Sequence, residues 1–153
     1  MARIDGIDVY GSPAFRYRTR QALELLSASQ TFHDVRPFLA AIKEGRRSGM
    51  WVYGRKPTFY VGKKTWQAPI LWYASSIVHD ANHSRLYRLG RRKMFGLIPF
   101  TPATTFAGKD AERRCLEVQL RALREIGADD STLEYISCLM LNPTYHERWF
   151  VTW

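Results

Sequence analysis

Residues 69–90 read PILWYASSIVHDANHSRLYRLG, and the fold is decided by how this stretch is read. Pro69 suits the first turn of a helix, and no further proline or glycine appears before Gly90, so the run predicts one helix from about 69 to 90. On such a helix His79 and His83, four residues apart, project from one face, close enough to hold one ion between them. Asp80 lies between them.

Upstream the period changes. Residues 49–54 (GMWVYG) and 57–62 (PTFYVG) are short, aromatic, β-branched and bounded by glycine or proline, which predicts a pair of strands. Before them, apolar spacing predicts one helix over about 15–28 and another over 32–44, the second carrying Val35, Phe38, Leu39 and Ile42 on one stripe. Downstream, residues 91–108 hold Gly96, Pro99, Pro102 and Gly108 and read as a long loop. Helical periodicity returns over 109–126, stopped by Gly127, and a last helix is expected over about 131–141 before Asn142 and Pro143. The tail TYHERWFVTW reads as extended strand or coil. With no repeat, low-complexity tract or composition shift, the expectation is a single domain over residues 1–153 of the α+β class, mostly helical, with a small sheet or hairpin preceding the histidine-bearing helix.

Two histidines leave a tetrahedral ion short of protein ligands. The helix over 109–126 offers a third. From Glu112, steps of three and four reach Cys115, Leu116, Gln119, Leu120 and Leu123, its apolar face, so Glu112 points inward while Glu117 and Glu125 fall away from it. A carboxylate at the head of a buried stripe is costly unless paired or bound to a cation. The alternative is an ordinary, partly exposed acid of the first helical turn, favoured there by the helix dipole. For the histidines the alternative is two chance residues of a packed helix.

HDANH followed some 30 residues later by ERRCLEVQ resembles the zincin metallopeptidases, in the branch whose third ligand is a glutamate, and is most similar to the short zincin domains of bacterial and phage toxin effectors. The resemblance spans about residues 50–126. It implies a strand at 57–62, one Zn2+ held by His79, His83 and Glu112, Cys115 at a small-residue position and Gln119 at a glutamine position. It also implies hydrolysis of an amide bond, in protein, peptide or a peptidoglycan cross-link, with the substrate backbone paired to the edge of strand 57–62. An inhibitor, immunity or delivery protein is the partner it implies, and export as an effector its destination. The family's glutamate beside the first histidine is Asp80 here. That glutamate takes a proton from the metal-bound water and passes it to the leaving amine. Asp80 has the same chemistry on a stem shorter by ~1.5 Å. Tyr145 and His146 are chemically suited to stabilise an oxyanion and are carried as further catalytic candidates.

A second resemblance, of His79-Asp80 to the doublet of HD-domain phosphohydrolases with His33 and Asp129 or Asp130 as partners, implies an all-helical fold. It leaves His83 and Glu112 without a role. A third reading is a non-catalytic module, with or without a metal, for an anionic partner: 23 Lys and Arg against 14 Asp and Glu give a formal charge of +9. The basic residues are scattered over loops, however, so solvated surface is the expectation and nucleic acid is not the expected partner. Cys115 and Cys138 lack CxxC spacing and read as buried thiols. The N-terminus has no apolar signal segment and the chain no run long enough to span a membrane, so the expected site of synthesis is the cytoplasm, with export as an effector the alternative destination.

Overall fold

In a computed structural model, which describes residues 1–95 and 106–141, the chain opens with a hairpin. Strands β1 (Ala2–Ile4) and β2 (Ile7–Tyr10) pair antiparallel, with Ile4 opposite Ile7, across the two residues Asp5 and Gly6. Both turn residues have positive φ, 48° and 76°. That is the signature of a tight turn matched to strand twist, and an Asp-Gly pair supplies it at least steric cost. A Cβ on Gly6 would also stand 2.9 Å from the Arg36 guanidinium.

Helix α1 (Pro13–Leu26) follows, with Pro13 in its first turn and the Ser12 hydroxyl accepting from the Phe15 amide. The predicted helix over 32–44 is not formed. Helix α2 (Gln30–Val35) gives way to a single 3-10 turn at Arg36–Phe38, and Ala41–Gly45 is strand β3. Pro37 is the reason: it has no N–H to give to the preceding turn, so the stripe of apolar residues that looked continuous is cut in two. Leu39 is already extended, at φ −124° and ψ 109°.

Strands β4 (Gly49–Trp51) and β5 (Thr58–Gly62) are the expected pair and run antiparallel, and the five strands lie in the order β1-β2-β3-β5-β4. The central three are parallel. Strand β5 therefore lies inside the sheet with both edges paired, and the expected edge pairing of a substrate to residues 57–62 is corrected: β4 is the outer strand on that side.

From β5 the chain passes through the short α3 (Lys63–Trp66) into α4 (Ile70–Phe95), which begins where Pro69 predicts and outruns the expected end at 90. Phe59 and Val61 of β5, Ile7 and Val9 of β2, and Phe15, Leu23 and Leu26 of α1 close over Tyr73, Ala74, Ile77, Val78 and Ala81 of α4. Each large side chain in that layer contributes about 1.5–3 kcal/mol of burial before entropy is charged against it. Helix α5 (Lys109–Glu125) packs along α4, and α6 (Asp130–Leu141) packs on α5 through Leu116, Leu120, Leu123 and Ile136. Helix α4 is thus covered both by the sheet with α1 and by α5. The α+β class stands, and the mixed sheet is not the all-helical fold that the phosphohydrolase resemblance implies. No helix among the described residues is long and apolar enough to cross a membrane.

Candidate metal centre

The side chains converge where α4 and α5 run side by side. On α4, His79 and His83 present their Nε2 atoms to each other at 3.2 Å. On α5, Glu112 gives one carboxylate oxygen to each imidazole: Oε2 is 3.3 Å from His79 Nε2 and Oε1 is 3.3 Å from His83 Nε2. The predicted inward face of α5 is the observed one, since Cys115, Leu116, Gln119, Leu120 and Leu123 are all buried. Gln119 fixes the register of the two helices by donating from Nε2 to Ser75 Oγ at 3.0 Å.

The His83 ring is oriented from behind. Its Nδ1 is 2.7 Å from the Phe106 carbonyl oxygen. A carbonyl only accepts, so Nδ1 carries a proton, and in the neutral ring it is Nε2 whose lone pair faces the cluster. Leu86, Ala111 and Phe106 form an apolar wall beside Cys115.

Charge follows from this crowding. Burial acts to raise the Glu112 carboxyl, but hydrogen bonds and positive charge from His79 and His83 overrule it and hold the group well below the usual carboxylate range. Burial likewise opposes charging His83, yet Cys115 and Glu112 together raise it well above an ordinary imidazole. Asp80, on the same helix, is pushed by burial up to about 6, with His79 and His83 pulling it down and Glu112 adding to the rise. Asp80 and His79 line a cavity of about 20 Å³ together with Ser48, Thr65, Ser76 and Gln119. That is room for a single water.

No protein-family model, no curated protein and no solved structure matches this chain. The case for a function therefore rests on the geometry of this cluster.

A group of His79, His83 and Cys115, whose ligand atoms all lie within 4.8 Å of one another, can hold a metal ion. The donor chemistry fits one. In a tetrahedral centre with bonds of about 2.0–2.1 Å, neighbouring nitrogen or oxygen donors stand ~3.3 Å apart. The two histidine nitrogens stand 3.2 Å apart, and each has its own Glu112 oxygen at 3.3 Å. In the metal-free chain a proton on the imidazoles balances the Glu112 carboxylate, and a divalent cation bound there would take the place of that proton. In addition, the buried Nδ1 of His79 has no hydrogen-bond partner among the described residues.

The structure thus brings together His79, His83 and Glu112, with Asp80 one residue from the first histidine. Tyr145 and His146, and the tail that carries them, lie outside the described residues, as does most of the expected loop over 91–108. His33 is exposed and bonds to the Ser27 carbonyl, and Asp129 bonds Ser131 and Thr132 at the start of α6, so both are occupied in local turns. Cys138 is exposed and corrects the expectation of two buried thiols, whereas Cys115 is fully buried. Cys115 and Asn82 were not expected at the cluster. Asn82 donates from Nδ2 to Cys115 Sγ at 3.4 Å. The signal available in the sequence was the three-residue step from Glu112 to Cys115, which places both on one face of α5.

Proposed function

We propose that this protein is a zinc-dependent hydrolase of amide bonds, with His79, His83 and Glu112 holding the ion and Asp80 acting as general base. The observation that carries the reading is Glu112, whose two carboxylate oxygens reach one histidine each at 3.3 Å. The zincin-like order of the motif supports it: a strand, then a helix with two histidines and an acid between them, then a second helix with the glutamate.

A bound zinc supplies Lewis acidity and brings the pKa of water toward neutrality. His83 is held by the Phe106 carbonyl in the tautomer that leaves Nε2 free to ligate, and Gln119 locks α5 to α4 so that Glu112 stays opposite the pair. Asp80, next to the one-water cavity, takes a proton from water and returns it to the departing amine. Its burial and elevated pKa suit a group that must both accept and release a proton near neutral pH. The outer strand β4, with Trp51 exposed, is where an extended substrate backbone would pair.

The test is turnover of a panel of fluorogenic peptides and peptidoglycan fragments by zinc-loaded protein, with Asp80→Ala as the control. Cleavage by the native chain and none by an Asp80→Ala protein that still holds zinc is expected. Equal cleavage by both would overturn the assignment of Asp80, and no cleavage of any amide by the zinc-loaded native chain would overturn the hydrolase.

A further inference from the structure

Four ligating groups, not three, converge on the cluster. His79 and His83 are four residues apart on α4, and Glu112 and Cys115 are three apart on α5, so each helix contributes a pair from one face. Cys115 is fully buried, and its Sγ lies within 4.8 Å of the ligating nitrogens of both histidines. Around it are Leu86, Ala111 and Phe106, and the Asn82 amide donates to its sulfur at 3.4 Å. Metal-bound sulfur accepts bonds of this kind, and a donor in this place orients a ligand from outside the coordination shell.

Resting on the metal reading above, we infer that Cys115 is the fourth protein ligand of the same ion, so that the resting centre is closed. A tetrahedral zinc centre used for catalysis keeps one position for water, whereas a centre with four protein ligands has none. With a Zn–S bond of about 2.3 Å, sulfur and a neighbouring nitrogen stand ~3.6 Å apart, so bringing Sγ to ligand spacing from the two histidines needs a shift of no more than ~1.2 Å. On binding, the thiol proton leaves to solvent and the thiolate takes the position that water would otherwise hold. Turnover then runs through the fraction of chains in which Cys115 has left the ion, so this side chain slows the native protein without silencing it.

X-ray absorption at the zinc edge of the zinc-loaded native chain tests this without reference to activity. One sulfur scatterer near 2.3 Å beside a shell of nitrogen and oxygen near 2.0–2.1 Å is expected. The sulfur should be lost in Cys115→Ala and kept in Cys138→Ala. A zinc retained with only nitrogen and oxygen around it would overturn the fourth ligand while leaving the three-ligand centre intact. A native chain that retains no zinc would overturn both. The native spectrum alone decides the matter if Cys115→Ala does not fold.

Discussion

His83 donates from Nδ1 to the Phe106 carbonyl at 2.7 Å, and this bond turns the other nitrogen of the ring toward His79 and Glu112. A backbone carbonyl just before α5 therefore sets the tautomer of a side chain on α4. The candidate metal centre is built from the contact of two helices, not from either alone.

Removal of a ligand should accordingly be felt in metal affinity. His79→Ala and His83→Ala are each expected to weaken zinc binding by on the order of a hundredfold or more, beyond the loss typical of groups that only support a ligand. Glu112→Gln keeps the shape of the side chain and removes its charge, and should weaken binding by at least about tenfold. Competition titration against a chromogenic chelator gives these numbers. Native affinity in Glu112→Gln would remove the glutamate from the ligand set.

Asp80 makes a prediction of opposite sign for stability and for turnover. In the metal-free chain its folded pKa of about 6 lies above the ordinary 3.8. The folded state therefore holds this proton more tightly than the unfolded one, and stability falls as pH rises from about 4 through about 6. Above that window the buried charge costs on the order of 2–3 kcal/mol. Asp80→Asn should stabilise the metal-free protein at pH 7.5, have little effect on stability at pH 3.5, and abolish turnover of the zinc-loaded form. Urea denaturation with a chelator present, at both pH values, reads the first two. Destabilisation at pH 7.5 would show that the carboxylate is held by partners that favour its charge.

Glu125 tests how α5 is tied to α2. Its Oε2 accepts from Ser29 Oγ at 2.5 Å and the Thr31 amide at 2.9 Å, and Oε1 accepts from Thr31 Oγ1 at 2.7 Å. Slight burial acts to raise this carboxyl, but these hydrogen bonds prevail and lower it. For a lowered carboxylate the stabilisation is complete above the unfolded pKa and lost as pH falls through the folded one. Glu125→Ala should cost about 1 kcal/mol at neutral pH, a modest figure because the group is exposed, and the difference from the native chain should vanish in acid. Equal stability of the two proteins at pH 7 would contradict this.

The sequence made α4 and α5 legible because their ends are punctuated, by Pro69 and by Gly127, and because α5 has one clear apolar stripe. Its inward face led directly to Glu112. Two further features of the fold have local marks in the residues. Asp5-Gly6 between Ile4 and Ile7 is a strong hairpin signal, and Pro37 forbids the helix drawn through it. Both were outweighed by apolar spacing, which matches a helix and a strand equally over so few residues. The parallel pairing of β2, β3 and β5 depends on contacts distant in the chain and leaves no local mark. Cys115 was hidden for a related reason: a ligand search by CxxC spacing looks along the chain, whereas this thiol reaches the histidines across a helix contact.

The measurement that bears most directly on the account is the metal content of the purified, untagged protein, by elemental mass spectrometry after desalting and with no metal added. About one zinc per chain is the predicted result, falling toward zero in His79→Ala and His83→Ala. A native protein that carries no metal and takes up none on titration would contradict the centre, and with it the hydrolase proposed on it.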